Sequence, residues 1–351
     1  MKKSIGIAFQ ISAVFIGTIV GAGLASGQEI CQFFTIYGYK SFLGILVCSF
    51  IYIAIGYMII DLSLKYHLSS YNELINLVSP GFIGKVTDII TGLFLISSAA
   101  IILAGSGSLL HQYFGVSKWI GISIMSLVSI FTLFKNTKGL IAINSFIVPS
   151  LIIVIVTIFI LYLMFNKNIV SVTYIKSIPY NKNYWLLSTF LYGGFNILCC
   201  SGVLVPLSLE FKNKKSLVYG VILGSLGLTV LSLIINLLLL LNVPYIFKYD
   251  IPLLYIANRF GKLIQLMLLF IILCEMFSTE VSNIYSVGKT LEHAFKIPYK
   301  KAVILIMIIA LPISQIGFVN LITILYPSFG AISLVFMLQC SYFYLKHRKV
   351  R

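Results

Sequence analysis

Charged residues are scarce in this chain of 351 residues: they make up 10% of it, whereas hydrophobic residues make up 60%. The mean hydropathy is +1.05. A water-soluble domain has too small an interior to bury that much apolar surface, so the composition excludes a soluble protein. There is also no polar segment long enough to form a second domain. The sequence therefore predicts one polytopic membrane domain over residues 1–351.

Enzyme and metal-site motifs are missing as well. The chain has no P-loop, no HExxH pair and no nucleophile elbow. Its six cysteines all lie in apolar runs, without the CxxC or cysteine–histidine spacing of a metal site. We therefore expect a protein that is not an enzyme and has no cofactor. The net charge of +16 does not indicate nucleic-acid binding, because the cations lie in short loops, where they set membrane topology.

Apolar runs divide the chain into ten candidate membrane helices, since about 20 apolar residues cross the hydrocarbon core. The runs cover 5–37, 41–64, 86–113, 117–134, 140–165, 185–209, 217–241, 263–288, 302–316 and 319–345. With the N-terminus inside, about two thirds of the 25 lysine and arginine residues fall on the inner side. An odd number of spans would place the basic tail, 346–351, outside. We therefore expect ten transmembrane helices with both termini in the cytoplasm.

A glycine-rich motif interrupts the first run. Residues 17–29 read Gly-Thr-Ile-Val-Gly-Ala-Gly-Leu-Ala-Ser-Gly-Gln-Glu, and Glu29 is the only charged residue between Lys3 and Lys40. Lipid has no water to solvate a freed backbone group or a carboxylate, so the motif predicts an unwound stretch that faces protein or a water-filled cavity. Amides that begin the second half-helix suit an anion, and carbonyls that end the first half suit a cation.

The sixth run contains a second glycine motif, Phe190-Leu-Tyr-Gly-Gly-Phe-Asn-Ile197. Each motif opens a set of five runs, and because five is odd, the second set lies inverted relative to the first. We therefore predict two inverted repeats, about 5–165 and about 185–345, with helices 1 and 6 broken. Paired interruptions in corresponding helices are the best sequence indication of a transporter's binding site.

Three carboxylates lie inside apolar runs: Glu29, Glu275 and Glu280. An unpaired charge in the bilayer costs at least a few kcal/mol. These residues therefore serve either as protonated, hydrogen-bonded structural groups or as groups that couple, gate or relay protons; we assign Glu29 and Glu280 to coupling or gating. The outer loop 242–262 is predicted either to pack into the vestibule as a lid or to rest on the outer surface.

The segment Gly21-Ala-Gly-Leu-Ala-Ser-Gly-Gln-Glu-Ile30 resembles the opening helix of the YkvI-type bacterial membrane proteins. That family is similar to the amino acid–polyamine–organocation superfamily, which has the LeuT-type five-plus-five inverted-repeat fold. The resemblance extends over nearly the whole chain by span count and break position. It implies an all-α, multi-pass protein of the bacterial cytoplasmic membrane, but it does not name a solute.

The wider resemblance to sodium-coupled transporters implies two sites. Their first helix has the pattern Gly-x-x-Val/Ala-Gly-x-Gly, matched here at residues 17–23. The implied sodium ligands are the carbonyls of Gly17, Val20 and Glu275 and the hydroxyls of Ser278 and Thr279. The amides of the first helix are expected to hold a substrate carboxylate. The implied substrate contacts are Ala22, Gly23 and Leu24 on the first helix and Gly193, Gly194, Phe195 and Asn196 on the sixth.

Together these observations predict a secondary active transporter with a mid-membrane site for an amino acid or related zwitterion, coupled to sodium. Proton coupling through Glu29, Glu275 or Glu280 is the alternative ion mechanism. A different class of function is a solute-sensing receptor subunit of the same fold, like the spore germinant receptors. The residues of the sodium site favour transport, because a receptor has no evident need of them. The expected partners are a small solute and membrane lipid, without nucleic acid.

Overall fold

The structure is a computed structural model that describes residues 2–135, 140–165, 172–178 and 183–348. The end of the basic tail, residues 349–351, lies outside these ranges. Within them every regular element is a helix, and nine helices have the length and apolar composition of a membrane span. A helix satisfies its backbone hydrogen bonds internally, which is the requirement that a lipid environment imposes on a single spanning segment. The chain is thus a multi-pass, all-α protein.

The helices follow one another with short connections. The first half contains α1 (Lys2–Ser26), α2 (Gln28–Phe33), a 3₁₀ turn (Thr35–Tyr37), α3 (Lys40–Tyr66), α4 (Tyr71–Val78), α5 (Phe82–Phe114), α6 (Lys118–Lys135) and α7 (Leu140–Phe165). The second half contains α8 (Val172–Ser177), α9 (Trp185–Phe211), α10 (Lys214–Leu240), a 3₁₀ turn (Tyr245–Lys248), α11 (Pro252–Asn258), α12 (Lys262–Phe295), α13 (Tyr299–Ser314) and α14 (Phe318–Arg348).

Nine of the ten predicted runs coincide with helices of spanning length. The ninth run forms α13, which has 16 residues. At 1.5 Å per residue it rises about 24 Å, less than the hydrocarbon thickness of about 30 Å. The count of ten spanning helices therefore stays a prediction. The inverted repeat and the orientation of the termini also stay predictions.

The first membrane segment is interrupted at two glycines, as the sequence predicts. Gly21 has non-helical dihedral angles inside α1 (φ 25, ψ 178), and Gly27 separates α1 from α2 in the left-handed conformation (φ 83, ψ −4). These conformations favour glycine because it has no Cβ to clash there. Ser26 joins the two sides of the second break: its hydroxyl donates to the Gly23 carbonyl at 2.8 Å and accepts from the Gln28 amide at 3.2 Å.

The predicted break in the sixth segment is wrong, because α9 is one continuous helix through its glycine pair. The glycines instead permit close packing between helices. A Cβ on Gly193 would lie 3.2 Å from Ile51 of α3, and a Cβ on Gly194 would lie 3.3 Å from Met337 of α14. The sequence motif therefore indicates a helix contact on two sides of α9 and not an unwound turn.

The first helix lies at the centre of the bundle. It packs against α10, α12, α9 and α7, while α9 packs against α3 and α14. Around the break, Val20, Leu24 and Ala25 are completely buried. The interruption of α1 therefore faces protein, which is where irregular backbone at membrane depth is tolerated.

Candidate functional site

The carboxyl group of Glu29 folds back onto the interrupted helix. Glu29 lies in the first turn of α2 and is 2% exposed. A Cβ added to Gly23 would collide with its carboxyl group. Gly23 is therefore needed to make room for the carboxyl of Glu29, and the Gly27 turn is what brings that side chain back toward α1.

Two tyrosines from other helices meet this carboxyl group. The hydroxyl of Tyr192, on α9, donates to Oε2 of Glu29 at 3.1 Å. The hydroxyl of Tyr326, on α14, is a second hydrogen-bonding neighbour. The ring of Tyr192 also packs against Phe33 and Phe34, with ring centroids 5.2 and 5.1 Å apart. Glu29 thus links the broken first segment to α9 and α14.

Aromatic rings continue this cluster across three helices. Phe195 of α9 lies 4.7 Å from Tyr326 and 5.6 Å from Phe94 of α5, measured between ring centroids. Phe94 in turn lies 4.7 Å from Phe329 of α14. We call Glu29, Tyr192, Tyr326, Phe94, Phe195 and Phe329 the central cluster. It places one buried carboxyl group beside hydroxyl groups and aromatic surfaces.

Of these residues, only Glu29 and Phe195 are identified from the sequence. Tyr192 directly precedes the glycine pair of α9, and Tyr326 directly precedes Pro327 inside α14, so each has a local signal. Phe94 and Phe329 have none, because a phenylalanine in an apolar span is ordinary lipid-facing or core composition. Their role follows from the way that α5, α9 and α14 meet.

The residues predicted for substrate binding all lie in the interior. They form two segments, Ala22–Leu24 of α1 and Gly193–Asn196 of α9, which we call the two walls of the site. Ala22 and Leu24 are buried in α1, and Phe195 and Asn196 are buried in α9. The side chain of Asn196 donates to the Tyr192 carbonyl one turn earlier at 3.1 Å, so it stabilises its own helix. The two walls are connected through the hydrogen bond between Tyr192 and Glu29.

The residues predicted for sodium lie on helices that pack together. α1 contacts both α12 and α7, and a Cβ on Gly17 would lie 3.2 Å from Val148 of α7. On α12, Glu275 and Ser278 are 3% and 1% exposed, and Ser282 donates to the Ser278 carbonyl at 2.9 Å. Val20 is completely buried and Thr279 is half-buried. The two helices that contain these residues, α1 and α12, therefore pack against each other.

Glu280, also on α12, is completely buried. Both of its carboxyl oxygens lack a hydrogen-bond partner among the described residues. In the same ranges, no three His, Cys, Asp or Glu side chains group as they would around a metal ion. This finding does not bear on the predicted sodium site, because its ligands are backbone carbonyl and hydroxyl oxygens and not His, Cys, Asp or Glu side chains.

The loop between α10 and α12 packs into the protein as a lid. Five residues of α11 are buried: Pro252, Leu253, Leu254, Ile256 and Ala257. Gln112 of α5 holds the lid with two hydrogen bonds of 2.9 Å, to the amide and carbonyl of Ile251. Beside it, Lys118 pairs with Asp250 at 2.7 Å. The alternative prediction, a helix resting on the outer surface, is not what the structure shows.

The lid reaches the broken first segment. A Cβ on Gly27 would lie 2.9 Å from Cγ of Leu253. The second break in the first segment is therefore also the place where the lid closes over it.

Three solved structures of membrane transporters are similar to this one. Mhp1 in its inward-facing conformation superposes with a TM-score of 0.70 and 14% identity, covering 95% of this chain and 75% of that one. The manganese transporter of Eremococcus coleocola has a TM-score of 0.68 and 15% identity, covering 97% and 79%. A sodium-coupled sialic acid symporter has a TM-score of 0.64 and 16% identity, covering 95% and 78%. The protein is thus a membrane protein with the LeuT-type fold.

Two proteins of Bacillus subtilis (strain 168) are similar along nearly their whole length. The uncharacterized membrane protein YkvI is 32% identical over 345 residues, which is 96% of each chain. The uncharacterized protein YyaD is 24% identical over 331 residues, covering 94% of this chain and 95% of that one. No profile of a known protein family matches the sequence. The chain belongs to the YkvI family.

Proposed function

We propose that the protein is a secondary active transporter that moves a small solute across the membrane by alternating access. The observation that carries this proposal is the interrupted first helix, whose break at Gly21 lies between the buried residues Val20 and Ala22 and whose Gly23 is covered by the Glu29 carboxyl group. Interrupted helices at membrane depth form the binding sites of many secondary transporters. The transport function of the structural neighbours supports the same conclusion.

The proposed solute is an amino acid or a related zwitterion. Its site lies between the segment Ala22–Leu24 of α1 and the segment Gly193–Asn196 of α9. The contact between Glu29 and Tyr192 supports this placement, because it joins these two walls. MhsT, which is structurally similar with a TM-score of 0.59 and 14% identity, is known in complex with L-phenylalanine.

The proposed coupling ion is sodium, at the interface of α1 and α12. Gly17 and Val20 lie in the last turn before the break at Gly21. Carbonyls in the last turn of a helix lack the amide partners that a following turn would supply. Ser278 and Thr279 follow one another on α12, so their hydroxyls point about 100° apart around the helix and can both reach one ion. Sodium-coupled transport by the sialic acid symporter supports this choice of ion.

The test is uptake into proteoliposomes by the double variant Ser278→Ala with Thr279→Val. We expect the variant to lose sodium-dependent uptake and sodium-induced thermal stabilisation. The matched control is Ser150→Ala with Thr157→Val on α7, whose hydroxyls are exposed and donate to carbonyls one turn earlier at 2.8 Å. It removes the same groups and is expected to keep sodium dependence.

Two outcomes contradict the sodium assignment. One is sodium-dependent uptake that survives in the double variant of α12. The other is wild-type uptake that follows pH and ignores sodium, which would favour proton coupling through a buried carboxyl group such as Glu280. Absence of uptake for every solute, in a protein that still binds one, would favour the receptor function.

A further inference from the structure

We propose that Glu29 recognises a protonated amine, so that the solute class of this protein is small amines with an apolar body, with or without a carboxylate. This inference rests on the proposed function for the location of the site, and it adds the chemical group that the site selects. The sequence analysis instead predicts that the amides of the first helix bind a substrate carboxylate, a group of the opposite charge.

The first step is the position of the Glu29 carboxyl group. It lies directly over Gly23, in the segment Ala22–Leu24 where the amides are expected to hold a carboxylate of the solute. The protein therefore supplies a carboxyl group of its own at this place. A second carboxylate brought alongside it would face a like charge, or one of the two would have to take up a proton.

The second step is the lack of a protein cation beside Glu29. Lys118 pairs with Asp250 and Lys214 pairs with Asp61, and neither pair involves Glu29. The hydrogen-bonding neighbours of Glu29 are the neutral hydroxyls of Tyr192 and Tyr326. A buried carboxylate is stabilised by a cation together with hydrogen bonds. The hydroxyls supply the hydrogen bonds, so the ionised form of Glu29 still requires a cation, which the solute can supply.

The third step is the kind of cation that the surroundings fit. Aromatic faces attract an ammonium group and also bury an apolar body. Phe195 lies beside Tyr326, and Phe94 lies beside both Phe195 and Phe329. A divalent metal ion requires several oxygen or nitrogen ligands, whereas Glu29 belongs to no group of three acidic, histidine or cysteine side chains in the described part of the chain. An organic ammonium group therefore fits the central cluster better than a metal ion.

The experiment uses two sets of three compounds that share an apolar body and differ in their charged ends. The first set is L-leucine, isopentylamine and 4-methylpentanoate; the second is L-phenylalanine, phenethylamine and 3-phenylpropanoate. Binding to the full-length protein in lipid nanodiscs is measured by calorimetry. We expect the amine to bind at least as tightly as the amino acid in one set or both, and the acid to bind at least tenfold more weakly than either.

Variants test whether Glu29 causes this preference. Glu29→Gln keeps the shape of the side chain and is expected to lose tenfold or more in amine affinity, which removes the preference over the acid. Glu29→Asp keeps the charge and is expected to retain the preference, which guards against a variant that merely misfolds. Glu73→Gln, in the short helix α4, removes an exposed carboxyl group and is expected to leave all affinities unchanged.

Three results would overturn the inference: acids that bind as tightly as amines, a preference that survives Glu29→Gln, or no binding of any amine in either set. These results are distinct from failure of the proposed function. Sodium-driven uptake of an acid would refute amine recognition and leave transport intact. Amine binding without uptake of any compound would refute transport and leave amine recognition intact.

Discussion

Replacing Gly23 by alanine tests the geometry at the centre of the site. The added methyl group would occupy space that the Glu29 carboxyl group now fills. Because Glu29 is also held by the Tyr192 hydroxyl at 3.1 Å, it cannot move away without losing that hydrogen bond. We therefore expect Gly23→Ala to displace Glu29 and to destabilise the protein, although alanine is intrinsically a better helix former than glycine.

The magnitude follows from three contributions. Overpacking a well-packed interior by a methyl group costs about 1–3 kcal/mol. Loss of a buried hydrogen bond adds about 1 kcal/mol, and the higher helix propensity of alanine returns about 0.5–1 kcal/mol. The expected net loss is about 1–3 kcal/mol, which corresponds to a lowering of the unfolding temperature on the order of 5 °C.

The assay is thermal unfolding in lipid nanodiscs at one fixed heating rate, since unfolding of such a protein is a rate-dependent process. Gly92→Ala on α5 is the matched control, because a Cβ there meets no atom within 4 Å. We expect that variant to be as stable as the parent protein or slightly more stable.

The cause of the destabilisation is tested by a double-mutant cycle. Glu29→Ala removes the group that collides with the added methyl, so Gly23→Ala should cost little in that background. Coupling of at least about 1 kcal/mol between the two positions is expected. If the two changes are additive, the methyl group meets something other than the Glu29 carboxyl, and the placement of that carboxyl over Gly23 is refuted.

Two further predictions concern the lid and α4. Gln112→Ala removes two hydrogen bonds to Ile251, whereas Lys118→Ala removes one exposed ion pair, worth about 0–1 kcal/mol. The rate of hydrogen exchange at the α11 amides should therefore rise more in the Gln112 variant. An equal rise in both variants would contradict this. The Ser69 hydroxyl and amide hold the pKa of Glu73 below its ordinary value. Because the pKa is lowered in the folded state, stability is present above the unfolded value and lost as the pH falls. The protection factors of the α4 amides, taken relative to intrinsic exchange at each pH, should therefore fall as the pH is lowered from about 5 to about 3, and Glu73→Gln should remove that dependence.

The sequence by itself determined the class of the protein and the place of the first break. Hydropathy depends on composition along the chain, so the membrane spans could be assigned without knowing which helices touch. The break at Gly21 and Gly27 could be assigned because glycines and a carboxylate in an apolar segment conflict locally with a continuous lipid-facing helix. Both inferences rest on interactions between a residue and its immediate chain or solvent.

Only the tertiary structure decided what the second glycine motif does. Gly193 and Gly194 form a glycine pair of the kind that also occurs at a helix break. They lie against Ile51 and Met337, however, and close helix packing explains why glycine is present at both positions. A glycine can serve either purpose, and the choice depends on the neighbouring helix, which local sequence does not specify.

The central cluster also depended on tertiary structure. Glu29 is recognisable in the sequence as a buried carboxylate, but its partners Tyr192 and Tyr326 are more than 160 residues away along the chain. Which carboxyl group covers Gly23, and which hydroxyls meet it, follows from how α2, α9 and α14 pack in space. Hydropathy predicts that these helices lie in the membrane. Only the packing of their side chains decides which carboxyl and hydroxyl groups face the site.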